Sequence, residues 1–243
     1  MFPFFKTKHY LKDLLPNNYI DIHNHLLPGI DDGAKTIQET TALITQMKEL
    51  NIQSCIATPH TFNLKWENTP LTIESAFNIA TEPTVNRKFL KTFASEYMLD
   101  ASLIDKLKKE PLLCLIDNYI LLEFPLFLKS IDLYEMLFEI KMKNYKIILA
   151  HPERYLYLHN SMIKYEKLKN YGVYFQLNLL SLTGYYGKMI QKKAIQLLEN
   201  DLYDFTGSDI HTEVEINQFK NVKLQIPNKT KMERLLLNNS IFL

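Results

Sequence analysis

Cysteine is nearly missing from this 243-residue chain, which has only Cys55 and Cys114. Two thiols make no disulfide framework, and a reducing compartment is the simpler expectation. A surplus of charge of one sign is missing too: lysine plus arginine total 28, and aspartate plus glutamate 27. No basic field therefore argues for nucleic acid, and no polybasic block argues for an anionic membrane surface. Long apolar runs are also absent. The most apolar stretch, Tyr119 to Leu128, contains Glu123 and has about half the length of a membrane span. The opening Met1-Phe2-Pro3-Phe4-Phe5-Lys6 is too short for a signal-peptide core, and no small-residue cleavage site follows it. No Gly/Ser-rich linker, repeat or low-complexity tract divides the chain. A cytoplasmic protein without membrane insertion is expected.

What is present is an alternation. The chain is 47% hydrophobic and 23% charged, enough for one sizeable core. Short β-branched or aromatic runs predict strands at Tyr19–His23, Gln53–Thr58, Leu90–Ser95, Tyr119–Glu123, Lys146–Ala150, Val173–Asn178 and Tyr203–Thr206. Between them, Thr36–Leu50 places Ile37, Thr41, Ile44, Met47 and Leu50 at helical steps, and Ile131–Met142 and Lys188–Leu198 behave similarly. Strands alternating with helices imply an α/β fold with parallel pairing. About seven such units suggest a barrel, with an open doubly wound sheet as the alternative.

Five of the seven histidines sit at or just after a predicted strand end. The first strand ends Asp21-Ile22-His23-Asn24-His25, and residues two apart on a strand share a face, so His23 and His25 can converge on one ion. Later strand ends carry His60, Glu96, Glu123, His151 and the pair Asp209 and His211. In α/β barrels catalytic groups gather at the C-terminal strand ends. Imidazole with carboxylate and no thiolate suits zinc, manganese or iron in a working site. A lone histidine of this kind is more often a hydrogen-bonded core residue; a run of six such strand ends is not.

The run from Asp21 to Gly33 resembles the first motif of the polymerase and histidinol phosphatase (PHP) superfamily. More closely, it is similar to bacterial manganese-dependent protein tyrosine phosphatases encoded with capsule and exopolysaccharide export systems. The resemblance continues through Thr58-Pro59-His60, Glu96, Leu121-Leu122-Glu123-Phe124-Pro125, Ala150-His151-Pro152-Glu153-Arg154, Gln176-Leu177-Asn178 and Ser208-Asp209-Ile210-His211. It covers the chain from Tyr19 onward, leaving residues 1–18 as an extension and 19–243 as the metallophosphatase domain. It implies a distorted (β/α)7 barrel of the PHP type holding three divalent ions: manganese, with iron, zinc or magnesium as alternatives. Carried over by position, His23, His25, Glu96 and Asp209 hold the first ion. Glu96 bridges to a second with Glu123 and His151, and Asp32, His60 and His211 hold the third. Asp31 competes with Asp32, which is preferred because it precedes Gly33. Asp21 is expected to orient an imidazole from outside the ligand set.

Three divalent ions against four ligand carboxylates leave net positive charge, which suits a phosphate dianion and a hydroxide. The expected chemistry is in-line attack on phosphorus by a metal-bridging hydroxide, with Asp209 or His211 able to assist the leaving phenolate. Arg154, one of three arginines, is a candidate phosphate clamp; a salt bridge with an acid such as Glu153 is its ordinary alternative. Gln176 and Asn178 share a strand face and either point into the pocket or satisfy buried backbone. Tyr185 and Tyr186 either wall a substrate ring or form an ordinary loop. His9 and His159 are left outside the site.

A cysteine-based phosphatase is excluded, because that route needs Arg six residues after Cys, and Thr61 and Ile120 stand there instead. The resemblance points to a phosphotyrosine protein as substrate, namely a membrane-associated tyrosine autokinase of a polysaccharide export system. The rivals are a small-molecule phosphatase acting on a compound such as histidinol phosphate, an amidohydrolase, and a non-catalytic barrel that binds a phosphorylated partner. Nothing in the chain fixes the oligomeric state.

Overall fold

The computed structural model describes residues 7–125 and 133–243. Residues 1–6, the end of the apolar stretch at 126–128, and the first two residues of the predicted helix Ile131–Met142 lie outside the described residues. The strands are β1 (Thr7–His9), β2 (Ile20–Asp21), β3 (Ser54–Ala57), β4 (His60–Thr61), β5 (Leu90–Phe93), β6 (Glu96–Met98), β7 (Tyr119–Glu123), β8 (Lys146–Ala150), β9 (Tyr174–Asn178), β10 (Phe205–Gly207) and β11 (Leu224–Ile226). The helices are α1 (Ile37–Glu49), α2 (Pro70–Ala80), α3 (Thr84–Phe89), α4 (Ala101–Lys109), α5 (Leu133–Met142), α6 (Met162–Asn170), α7 (Lys188–Glu199), α8 (Glu213–Asn221) and α9 (Lys229–Asn238).

Pairing in the two larger sheets is parallel, as alternating strands and helices require. One sheet runs β10-β9-β8-β7-β6-β4, and a second runs β2-β3-β5. The chain passes from β3 to β4 through Thr58-Pro59, and from β5 to β6 through Ala94-Ser95, so two strand lines each serve both sheets. A parallel bridge between Asn24 and Ile210 joins the line of β2 to that of β10. His25 N donates to Ile210 O (2.9 Å) and Asp209 N to His23 O (2.7 Å) across it. The strand predicted at Tyr203–Thr206 begins two residues later, after the left-handed turn at Asp201 (φ 54°).

Alternation along the strands divides the core. Ile20 and Ile22, Leu121, Ile148 and Ala150 pack with Ile56, Phe205 and Phe242 in one cluster, while their neighbours Ile147 and Leu149 join the larger layer beneath the helices. Burying each such aliphatic side chain contributes about 1.5–3 kcal/mol. Helix starts follow the side-chain chemistry: Thr36, Thr69, Asp100 and Thr212 each accept a first-turn N–H, and Thr69 and Thr212 close capping boxes with Thr72 and Glu215.

The expected boundary after residue 18 is not a break in packing. β1 pairs antiparallel with β11 (Thr7 opposite Ile226), and Leu11, Leu14 and Leu15 are buried in the main core. Three apolar residues at three- to four-residue steps bind this segment to the body of the fold. Among the described residues no helix is long and apolar enough to cross a membrane.

Candidate metal centre

The C-terminal ends of the parallel strands converge on one polar cluster. Four groups of side chains each place ligand atoms within 4.8 Å of one another: His25, Asp32, His60 and His211; His23, His25 and Asp209; His23, Glu96 and His151; and His60, Glu96 and Glu123. All nine expected ligands are among them. Glu96 is central, its Oε2 lying 3.2 Å from His23 Nε2, 3.5 Å from His25 Nε2 and 3.1 Å from His60 Nδ1. Its Oε1 faces His151 Nε2 at 3.2 Å. Asp209 Oδ1 is 3.2 Å from His23 Nε2 and 3.4 Å from His25 Nε2. Asp32 Oδ1 lies 3.4 Å from His211 Nε2 and 3.6 Å from His60 Nε2. His60 thus stands between two groups, one ring nitrogen toward each. Two of the ligand positions are held in left-handed backbone, His151 at φ 34° and Asp209 at φ 55°, conformations that turn a strand end sharply.

The rings are locked from behind. His23 Nδ1 donates to Gln176 Oε1 (2.9 Å), His25 Nδ1 to Asp31 Oδ2 (2.8 Å) and His211 Nδ1 to Asp209 O (3.0 Å). Each bond places the proton on Nδ1 and leaves the Nε2 lone pair facing the cluster. Asp31 also accepts from Gly33 N (2.9 Å) and His60 N (3.1 Å), so its oxygens are spent on support, whereas Asp32 is half exposed and aimed at two histidines.

Asp21 does not orient an imidazole as expected. It accepts from Ser208 N (2.8 Å) and Ser208 Oγ (2.7 Å), which fastens β2 to β10, and Gln176 takes the imidazole instead. Tyr155 OH, donating to Ala150 O and accepting from Phe124 N, braces the two strand ends that carry His151 and Glu123. Sequence reasoning had no signal for these two supports, because His23 lies 153 positions from Gln176 and Phe124 lies 31 from Tyr155.

The cluster forms the floor of a cavity of about 480 Å³ lined by Asp32, His60, Glu123, His151, Arg154, Asp209 and His211, with Phe62, Lys65, Trp66, Met98, Asp100 and Pro125. Arg154 lines it and donates through Nη1 to Asp209 Oδ2 (2.8 Å), so its acid partner is Asp209 and not Glu153. Glu153 is buried and accepts from Asn178 N, Ser181 Oγ and Tyr203 OH.

Three expected substrate contacts have other tasks. Asn178 is fully buried and donates to Asp209 Oδ2 (2.8 Å) and Tyr186 OH (3.2 Å). The Tyr186 ring lies under the Arg154 guanidinium at 4.5 Å, and Tyr185 donates to Glu215 Oε1 (3.1 Å). Among the described residues, neither tyrosine lines the cavity. The aromatic wall is made by Phe62 and Trp66, whose loop the sequence did not single out.

The donor set fits divalent cations. His23 Nε2, His25 Nε2 and Glu96 Oε2 are buried without a hydrogen-bonding partner, and all three face the same space. Orphaned buried atoms of this kind are rare unless an ion or water completes them. Burial disfavours charge on His23, yet the carboxylates of Glu96 and Asp209 outweigh it and raise the ring to about 9. Burial and then the Glu96 charge push Glu123 up to about 7. Burial and the Arg154 cation lower His151 to about 4, leaving it neutral with a lone pair to give. Both thiols are raised by burial, Cys114 to about 11 and Cys55 well above the usual range, so neither supplies a thiolate.

Comparison with known proteins agrees with this arrangement. Tyrosine-protein phosphatase YwqE of Bacillus subtilis (strain 168) is 30% identical over 200 residues, covering 79% of this chain and 77% of its own. Tyrosine-protein phosphatase CpsB of Streptococcus pneumoniae is 30% identical over 204 residues, covering 79% and 82%. A solved structure from the pair YwqE of Bacillus subtilis and CpsB of Streptococcus pneumoniae, metal-dependent tyrosine phosphatases, superposes with a TM-score of 0.73 at 28% identity over 81% of each chain. Residues 19–240 match the model of the capsular polysaccharide synthesis family CpsB/CapC. A match of that extent, with relatives at 30% identity, means that the chain belongs to the CpsB/CapC family.

Proposed function

We propose that this protein is a metal-dependent phosphomonoesterase that removes phosphate from protein phosphotyrosine. The observation that carries the reading is the set of unpartnered, buried His23 Nε2, His25 Nε2 and Glu96 Oε2, which face His60, His151 and Asp209 in the lining of a cavity that also holds Arg154. The likeness to YwqE and CpsB, both tyrosine-protein phosphatases, supports the tyrosine specificity. The substrate we propose is a membrane-associated tyrosine autokinase of a polysaccharide export system, met in the cytoplasm.

Three divalent ions, manganese first, are assigned to His23, His25, Glu96 and Asp209; to Glu96, Glu123 and His151; and to Asp32, His60 and His211. The convergence of all nine side chains supports this assignment. The strand lines are taken to close as a distorted (β/α)7 barrel, which the bridge between Asn24 and Ile210 favours. Residues 19–243 are the catalytic unit, with residues 7–18 bracing it. Bound divalent ions supply Lewis-acid charge to phosphate oxygens and lower the pKa of the attacking water. Arg154 offers a planar cation beside Asp209 for phosphate oxygens. Asn178 and Arg154 fix Asp209, and the Nδ1 partners of His23, His25 and His211 keep lone pairs turned inward.

The test is an assay of the purified protein on an aryl phosphate with manganese. Activity should be lost to a chelator and be indifferent to a thiol-alkylating agent, as buried, protonated thiols require. Survival through chelation, or loss on alkylation, sinks the reading. A phosphotyrosine peptide should be preferred over histidinol phosphate; the reverse preference makes the enzyme a small-molecule phosphatase. His151→Ala and Asp209→Ala should remove turnover.

A further inference from the structure

We propose that Phe62 and Trp66 form the wall against which the phenyl ring of a phosphotyrosine side chain packs, so that the segment from His60 to Trp66 sets specificity for aryl over alkyl phosphates. The proposal rests on the phosphatase reading and adds to it a ring-binding element.

The wall is built rather than loose. Phe62 and Trp66 form an antiparallel bridge, with Phe62 N donating to Trp66 O (2.9 Å) and Trp66 N to Phe62 O (2.8 Å). The turn between them passes through Leu64 at φ 65°. The two rings stand 6.3 Å apart and tilted by 53°, and the Trp66 ring stacks on His60 at 4.6 Å and 8°. The apolar wall is therefore in contact with a side chain of the polar floor. Met98 and Pro125 also line the cavity. A phosphate seated at the floor brings the group bonded to it directly against this surface.

Two side chains already cover the Trp66 ring: His60 stacks on it, and Lys65 Nζ lies 3.8 Å from its centroid. Among the described residues, no carboxylate lies within salt-bridge reach of Lys65, so only the ring holds its ammonium. An incoming phenyl ring takes the place of this flexible lysine chain, exchanging a surface cation–π contact for a ring–ring contact. A seryl phosphate has only a methylene to offer at that depth and gains nothing there. The pair Tyr185 and Tyr186 cannot do this work, since Arg154 and Asn178 hold one and Glu215 the other.

Trp66 is the chain's single tryptophan, so its emission reports on this wall alone. The manganese-loaded protein is titrated with benzylphosphonate, which carries a ring and is not hydrolysed, and with methylphosphonate, which carries none. Benzylphosphonate should change the emission saturably, with a midpoint equal to its inhibition constant; methylphosphonate should not. Trp66→Ala should raise KM for a phosphotyrosine peptide about tenfold, with the inhibition constant of inorganic phosphate kept within about twofold and metal content unchanged. Trp66→Phe should recover most of that loss. Benzylphosphonate that inhibits without moving the emission overturns the proposal. So does an unchanged KM, or a parallel weakening of peptide and inorganic phosphate, which would make Trp66 only a prop for His60. A loaded protein that hydrolyses no phosphomonoester overturns the functional reading itself, and this proposal with it.

Discussion

Arg154 and Asp209 share a 2.8 Å charge-assisted hydrogen bond, made through the one carboxylate oxygen of Asp209 that does not face the histidines. With Asn178 on the same oxygen, both ends of Asp209 are engaged. Burial would raise its pKa, but His23, His25, His211 and Arg154 hold it well below the usual carboxylate range. Asp209 is thereby set as an anion between the histidines and Arg154. Arg154→Ala should lower kcat by about 10² or more, as loss of a single charge-stabilising donor does. Arg154→Lys should recover little, because an ammonium cannot serve Asp209 and a phosphate oxygen in one plane. Steady-state rates with saturating manganese decide it, and a lysine variant with near-normal kcat would refute the planar role.

Gln176 holds His23 at the ring nitrogen remote from the cluster. Gln176→Leu should weaken metal binding about 10- to 100-fold, as loss of an outer partner to a ligand histidine typically does. Competition against a chromophoric chelator measures this directly. At saturating metal, turnover should return to within a few-fold of the parent; unchanged affinity would show that the bond to Gln176 is incidental.

Stripping the metal should destabilise the fold, because Glu96, Glu123 and Asp209 crowd one space in which only Arg154 and protonated histidine would offset their charge. An ion present at a thousand times its Kd contributes about 4 kcal/mol, which in a chain of this length corresponds to roughly 10 °C in Tm. Thermal melts with chelator, and again after manganese is restored, should show a reversible shift of that order. Coincident melts would mean that the cluster is not a cation site.

Two glycines press against the ligand histidines. A Cβ on Gly207 would stand 2.6 Å from His23 Cβ and 2.7 Å from Gln176 Nε2, and one on Gly33 would stand 1.9 Å from His25 O. Gly207→Ala and Gly33→Ala should each cost about 1–3 kcal/mol or more in denaturant melts. Gly33→Ala should be the worse, because the atom it meets is backbone. Both should purify with less metal, and full metal content in either variant would contradict the close approach.

The parts that were legible in the sequence were those written locally. His23 and His25 announce a shared face by their spacing, and β7 and β8 fall on their predicted bounds because each is a continuous apolar run. What escaped notice depends on partners far along the chain. β1 and β11 are three residues each and gain their identity only from pairing with each other. Gln176 could face the pocket or satisfy buried backbone on sequence alone, and its partner, His23, stands 153 positions away. Asp31 and Asp32 are adjacent acids that only the position before Gly33 told apart, in favour of Asp32; the folded turn puts Asp31 behind His25. Tyr185 and Tyr186 could be a wall or an ordinary loop on sequence alone, while the aromatic lining of the cavity comes from Phe62 and Trp66 in a short hairpin with no periodic signature.

The bridge between Asn24 and Ile210 also imposes an order of events during synthesis. His23 and His25 leave the ribosome long before Asp209 and His211. A nascent chain halted before Phe205 carries its paired histidines without the acid that completes them, and β1 without the strand it pairs with. A product terminated ahead of Asp209 lacks the acid that the proposed first ion position needs, and should bind metal more weakly than the chain that includes it.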